Sequence, residues 1–262
     1  MTTTDKDIQF ISPLTGEVSF ADEWYGAASA DHFWFEWRFN VLMCSLRDMD
    51  VNIEAPLKVM EVGCGTGILI KQLEQVTQWR IDGVDLNLSV LQKAVTGRGR
   101  KLFYDIRQEC KEYLETYDIV LLFDIIEHIP DDAGLVLSAV RHLKPGGLLM
   151  INVPALSLFL GAYDKATGHL RRYDKVSLNR VLDGVPLMVR DIRYWGGFLV
   201  PLLFLRNRIL RRPNSVARTV ECGFRPPNNA VNRLLKLAMK LETRLIARVP
   251  IGASLMLIGS RT

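Results

Sequence analysis

The sequence predicts an α/β domain built on a doubly wound, mostly parallel sheet, with a helical cap before it and a basic helical insertion ahead of its last strand. Two observations support that expectation. From residue 57 onward, short apolar runs alternate with amphipathic stretches, and such alternation builds a parallel sheet with helices on both faces. The first of those runs ends in a glycine-rich turn that opens a helix, at the strand edge where sheets of this kind take ligands.

Size and charge bound the organisation. The 262 residues, 48% hydrophobic and 24% charged, suffice for one large core and are too apolar for a disordered chain. We expect residues 1–50 to form a lead-in and cap, and 51–262 to form one domain that includes the insertion at 195–250. Cys44, Cys64, Cys110 and Cys222 show no CxxC spacing, which argues against a zinc site or disulfide framework and for a reducing, cytoplasmic setting. Met1 to Phe10 is polar, without the basic-then-apolar pattern expected of a signal peptide. The longest apolar run, Phe198 to Leu205, contains Pro201 and falls well short of the roughly 20 residues that span a bilayer. The net charge of +4 hides an asymmetry: eleven basic and two acidic residues between Trp195 and Pro250 give that stretch +9, leaving −5 elsewhere.

In chain order, residues 1–30 read as an irregular lead-in. Asp31 is placed to cap a helix running to about Met49 that bears Phe33, Trp34, Phe35, Trp37 and Phe39. Five rings in seven positions cover more than one helical face, so the helix either clamps onto the main body or walls a pocket. Strands are expected at Leu57–Val62, Arg80–Asp85, Lys101–Tyr104, Asp118–Phe123 and Leu148–Val153, with helices at Ile68–Val76, Leu88–Val95 and Ala133–Leu143 among them. Lys144-Pro145-Gly146-Gly147 reads as a turn into the fifth strand. A polar loop to Tyr173, a helix from Lys175 to Leu182 and strands at Leu187–Tyr194 and Ser254–Ser260 complete the pattern. Between these last strands lie two helix-like stretches, Phe198–Arg212 and Ala230–Arg248, joined by a link rich in proline and asparagine (Pro213, Asn214, Pro226, Pro227, Asn228, Asn229).

Glu61-Val62-Gly63-Cys64-Gly65-Thr66-Gly67 is the most informative segment. Glycines permit positive φ and let a ligand press on bare backbone, while the helix start supplies N–H donors. The spacing is GxGxG, neither the GxGxxG of dinucleotide binders nor a phosphate loop with GK[ST]. Asp85, 18 residues after Gly67, closes the second strand, where a carboxylate can take two ribose hydroxyls. Asp105 closes the third and can accept from an adenine amino group, with Ile106 beside the ring. Leu86, Phe123 and Asp124 complete the expected cofactor contacts.

In these residues the chain resembles the class I S-adenosylmethionine-dependent methyltransferases. Glu61 to Gly67 is similar to their first motif, Asp85 to their ribose-binding acid and Asp105 to their adenine-side acid. Tyr117 to His128 resembles their fourth-strand motif, and Leu143 to Gly147 their turn before the fifth strand. The resemblance covers roughly residues 57–194 and the final strand, with Glu61 standing where many members have Asp. It implies a seven-stranded sheet in the order 3-2-1-4-5-7-6, with the seventh strand antiparallel, and S-adenosylmethionine as methyl donor. A sulfonium methyl is already electrophilic, so such an enzyme must mainly align a nucleophile and exclude water.

On the acceptor side, Asp124-Ile125-Ile126-Glu127-His128 admits three readings. His128 can act as a general base. Asp124, Glu127 and His128 can instead hold a divalent ion such as Mg²⁺ that lowers the pKa of an acceptor hydroxyl. Glu127 or His128 can also simply cap the turn before Pro130. The pattern resembles the acid-x-x-Glu-His metal motif of ubiquinone-pathway O-methyltransferases and of small-RNA end methyltransferases, with a shorter Asp in first place. Downstream, the string Gly168-His169-Leu170-Arg171-Arg172-Tyr173, with the aromatic stretch His32 to Arg38 upstream, resembles a bacterial methyltransferase subgroup often linked to cell-surface glycan, lipid or secondary-metabolite pathways. His169 is an alternative base, and Arg171, Arg172 and Tyr173 are candidates for binding the acceptor. One arginine can fork onto a carboxylate or phosphate while the other pairs with an acid such as Asp164; equally, the loop can be an internal latch.

The basic arm, residues 198–248, either contacts an anionic membrane surface or packs as a lid with its charges solvated. Its second helix lacks the interleaved aromatics that favour nucleic acid. The expected function is methyl transfer to oxygen of a small-molecule, glycan or lipid-linked acceptor. RNA methylation and a non-catalytic cofactor-binding module tethered to a membrane or partner are the alternatives.

Overall fold

Alternating apolar residues decide which side of the sheet each strand side chain joins, and the strands here are apolar on both sides. The computed structural model describes residues 7–14, 32–95, 97–209, 219, 228–245 and 248–262. Its strands are β1 (Ile8–Phe10), β2 (Lys58–Val62), β3 (Arg80–Asp85), β4 (Lys101–Phe103), β5 (Tyr117–Phe123), β6 (Leu143–Pro154), β7 (Leu187–Trp195) and β8 (Ser254–Arg261). In β5, Ile119, Leu121 and Phe123 enter one core while Val120 and Leu122 enter the other.

The helices are α1 (Phe33–Asp48), α2 (Ile68–Glu74), α3 (Leu88–Lys93), α4 (Asp132–His142), α5 (Ala162–Ala166), α6 (Lys175–Val181), α7 (Val200–Ile209) and α8 (Asn229–Leu245). Trp37, Leu42 and Leu46 of α1 and Leu69 and Leu73 of α2 fill the first core. Leu135, Val136 and Val140 of α4 and Leu178 of α6 fill the second. The aromatic helix is therefore a clamp on one face of the sheet.

The sheet runs β1-β4-β3-β2-β5-β6-β8-β7. Seven of these strands take the expected order, with β8 antiparallel to both β6 and β7. The eighth, β1, extends the edge by pairing in parallel with β4. It corrects the reading of an irregular lead-in and the count of seven strands. Three residues with only Ile8 buried give no periodicity from which to read a strand. Residues 144–147 also differ from expectation: β6 already pairs at Leu143 with Tyr117, and the register shifts before Ile119 pairs with Leu148. Gly146, at φ +76°, absorbs this irregularity.

The expected Asp31 cap, Cys222, Arg211, Arg212, Arg218 and Arg225, and most of the link (Pro213, Asn214, Pro226, Pro227) lie outside the described residues. Within them α1 is capped by His32, whose Nδ1 accepts from the Trp34 amide at 3.1 Å. Helix α8 flanks α1: the Asn232 amide oxygen accepts from Phe33 N at 3.2 Å, and Lys236 Nζ lies 2.7 Å from Glu36. Buried Glu242 accepts from Gly196 N at 2.8 Å and Phe198 N at 3.3 Å, tying the same helix to the end of β7. No helix of the described residues is long and apolar enough to cross a membrane.

Candidate active site

Strand order reverses between β2 and β5, and a crevice opens beyond the carboxyl ends of strands at such a switch point. The turn after β2 holds Gly63, Gly65 and Gly67 at φ +71°, +55° and +76°. A Cβ on Gly63 would lie 2.8 Å from Ile125 Cδ1, and one on Gly67 would lie 2.8 Å from Val95 Cγ2. Glycine is thus required by conformation and by space at both positions. The turn's amides are largely committed: Gly63 N and Cys64 N donate to Val84 O, Gly65 N to Asp85 Oδ2, and Gly67 N to Cys64 O. What the turn itself offers is close approach to backbone.

Asp85 faces this turn. Its Oδ2 accepts from Gly65 N and its Oδ1 from Asn87 N, each at 2.8 Å. Burial raises its pKa against the pull of those amides. Each oxygen keeps a second lone pair for a diol. Leu86 follows it, half-buried. Asp105 caps the short turn at Ile106 and is gripped by its neighbour, Arg107 Nε at 2.8 Å and Nη2 at 2.7 Å. Burial raises the Asp105 carboxyl, but Arg107 overcomes this and holds it below its ordinary value. Ile106 and Phe123 are both buried.

A polar network missed from sequence runs under the crevice. Arg38 of α1 donates from Nη1 to Asp124 Oδ2 at 2.5 Å, and its guanidinium lies 5.0–5.4 Å from the ring centres of Trp34, Phe35 and Phe123. Asn152 Nδ2 donates to Asp124 Oδ1 at 2.7 Å, while Trp195 Nε1 donates to Asn152 Oδ1 at 2.9 Å. Asp124 sits in the left-handed region at φ +58°, strained backbone of a kind that gathers at functional sites. Glu61 is buried nearby, with Oε2 lacking a hydrogen-bond partner among the described residues. Burial pushes its carboxyl up to about 8, with Arg38 pulling down and Asp85 and Asp124 pushing further up.

The acceptor-side candidates form a second cluster. Glu127, His128 and His169 place one ligand atom each within 4.8 Å of one another. Asp124, expected in this set, is instead engaged by Arg38 and Asn152; His169 takes its place. Both Glu127 carboxylate oxygens are buried without a hydrogen-bond partner among the described residues, and burial together with nearby Asp124 pushes the pKa well up. His128 Nδ1 faces Gly168 O at 3.2 Å, and His169 Nδ1 faces Asp164 Oδ1 at 3.1 Å. Protons on those nitrogens leave the lone pair on Nε2 of each ring. Burial and His169 hold His128 down to about 3, which keeps it neutral and makes it a weak base.

The arginine pair is turned into the loop, the latch arrangement of the two expected readings, rather than out toward an acceptor. Arg171 donates to Pro130 O and pairs with Asp132 at 2.6 Å. Arg172 is buried on Asp164 at 2.7 Å and donates to Ala155 O. Tyr173 is buried as well, its hydroxyl donating to Asp132 at 2.8 Å. Two nearby acids have taken both guanidinium groups.

Comparison with known proteins follows these features. A family model for a methyltransferase domain matches residues 34–195. The chain is 34% identical over 96 residues to the ubiquinone biosynthesis O-methyltransferase of Aliivibrio fischeri, covering 34% of this chain and 41% of that one. The corresponding figures for the Proteus mirabilis protein of the same name are 33%, 34% and 39%. The chain thus spans about two fifths of the length of the curated relatives it matches. One chain of a Haloferax volcanii complex with the Trm112 methyltransferase activator superposes with a TM-score of 0.59 at 14% identity, covering 94% of this chain and 99% of that one. Phosphoethanolamine N-methyltransferase 2 of Haemonchus contortus, solved with S-adenosyl-L-methionine, gives 0.53 at 18% identity, covering 84% and 52%. Both solved structures share the fold.

Proposed function

Because the chain belongs to the methyltransferase-domain family of class I S-adenosylmethionine-dependent enzymes, we propose that it moves a methyl group from S-adenosylmethionine to an acceptor oxygen on a small or lipid-linked molecule. The observation that carries this reading is the pairing of the left-handed glycine turn with Asp85 at the switch point of the sheet. The residues present fit the cofactor: Glu61 keeps a buried carboxylate oxygen without a partner, and Gly63 and Gly67 leave no room for a side chain. Glu61 and the turn would hold the methionine tail, Asp85 and Leu86 the sugar, and Asp105 and Ile106 the base, with Phe123 and Asp124 completing the contacts. When bound, S-adenosylmethionine supplies an electrophilic methyl group. Residues of this chain then orient the acceptor, exclude water and receive its proton.

Calorimetric titration with S-adenosylhomocysteine tests the reading. We expect binding by the wild type and a loss of at least a hundredfold, about 3 kcal/mol, in Asp85→Ala. No heat with the wild type overturns it. Labelled S-adenosylmethionine incubated with fractionated small molecules, lipids and RNA then separates the acceptor classes.

At the acceptor, we propose that Glu127, His128 and His169 hold a divalent cation. Support comes from the orphaned Glu127 oxygens and from the partners that fix both rings. Two imidazoles and one carboxylate suit a transition metal better than Mg²⁺. Such an ion would lower the pKa of an acceptor hydroxyl. Activity should fall in chelator and return with Mn²⁺ or Zn²⁺. Full activity in chelator would overturn this site.

The insertion supports contact with an anionic membrane surface. Leu234, Leu237 and Leu241 form an exposed apolar stripe on α8 with Arg233 and Lys240 beside it, and Phe204 and Leu205 are exposed on α7. Co-sedimentation with anionic vesicles at low salt is the expected result; its absence removes this contact.

A further inference from the structure

Arg206 of α7 plays no part in the machinery described above, yet its surroundings are specific. Its guanidinium carbon lies 4.1 Å from the centre of the Tyr163 ring. Nε and Nη2 are both shielded from solvent, and neither has a hydrogen-bond partner among the described residues. The neighbouring Asp164 carboxylate makes no hydrogen bond to it and is turned to Arg172 Nε at 2.7 Å, His169 Nδ1 at 3.1 Å and Gly161 N at 2.8 Å. Two guanidinium groups thus share one region with a single committed carboxylate. The next residue repeats the pattern: Asn207 Nδ2 donates to Phe159 O at 2.8 Å, while its buried Oδ1 is unpartnered among the described residues.

A buried guanidinium whose N–H donors go unmet is costly to leave so. A ligand that meets those donors recovers that cost on binding, and a planar fork with two idle donors matches a carboxylate or phosphate. Position decides which ligand. Tyr163 separates Arg206 from His169, with ring centres 6.5 Å apart, and His169 stands 4.7 Å from His128. Arg206 therefore borders the acceptor cluster. We infer that the acceptor carries a carboxylate or phosphate group that docks on Arg206, an inference resting on the methyl-transfer reading of this site. Arg206 then sets specificity: a neutral acceptor leaves its donors idle and is rejected.

Ligand-observed NMR titration of the full chain tests this with acetate, inorganic phosphate and acetamide, the neutral match of acetate. Titration with S-adenosylhomocysteine runs in parallel. The expected result is that acetate or phosphate binds and acetamide does not, the anion that binds naming the acceptor's group. Arg206→Gln should weaken anion binding at least tenfold and leave S-adenosylhomocysteine affinity unchanged. Arg206→Lys, which keeps the charge and loses the fork, should fall between and covers the case in which the glutamine variant does not fold. The inference is overturned if neither anion binds, if acetamide binds as well as acetate, or if Arg206→Gln keeps the wild-type anion affinity. A parallel loss of S-adenosylhomocysteine affinity also overturns it, by assigning Arg206 to the cofactor. Wild-type protein that binds anions but not S-adenosylhomocysteine refutes the methyl-transfer reading instead.

Discussion

Glu61→Gln should make the ligand-free protein more stable while weakening its hold on S-adenosylmethionine. The Glu61 carboxyl titrates near 8 in the folded chain against an ordinary 4.5. Between those values the folded state holds a proton that the unfolded state has released, so stability falls as pH rises through that window. At 1.36 kcal/mol per pH unit, the loss accumulated by pH 8 is about 4 kcal/mol. Glutamine keeps the shape and removes the titration. For a chain of this length the variant should melt about 10 °C above the wild type at pH 8 and alongside it at pH 4. Unfolding followed by circular dichroism from pH 4 to 8 reads the difference, and other buried carboxyls cancel because both proteins contain them. Melting curves that stay parallel across the range would refute the assignment of a buried, largely protonated Glu61.

Other perturbations follow from the same geometry. Gly63→Ala adds a methyl 2.8 Å from Ile125 Cδ1 on left-handed backbone and should cost about 2–3 kcal/mol in urea unfolding. Combining it with Ile125→Val should recover part of that loss, and no recovery would show that the contact is not its cause. Asp82, fully buried in β3, takes two bonds from the Arg100 side chain and one from Tyr117 OH at 2.8 Å. Burial raises its carboxyl, but these partners outweigh burial and hold it below its ordinary value. The stability it contributes is therefore present above about pH 4 and lost as pH falls through the lower folded value. Asp82→Asn should cost about 3 kcal/mol at pH 7, and less in acid, by denaturant titration.

The sequence made the sheet and its glycine turn legible because both are local patterns. Strands β2 to β8 announce themselves through runs such as Tyr117 to Phe123, and the turn through three closely spaced glycines, all at positive φ. The network around Asp124 was hidden because its partners come from far away: Arg38 is 86 residues distant. Trp195 reaches Asn152 across 43 residues, and a lone asparagine inside the apolar run from Leu148 to Val153 was its only trace. Arg171 and Arg172 do diverge, as adjacent residues on an extended chain must. Which acids receive them depended on where Asp132 and Asp164 fall in space. His169 entered the acceptor cluster for the same reason, brought beside His128 by a loop whose course no periodicity encodes.

Glu36 and Arg38 sit on the same helix, one held from outside by Lys236 of α8 and the other reaching inward to Asp124. The segment inserted between the last two strands is thereby braced against the residue that fixes the floor of the crevice, through one rigid rod. Exchanging α8 would change what holds Glu36, on the helix that carries Arg38, without altering a residue of any strand.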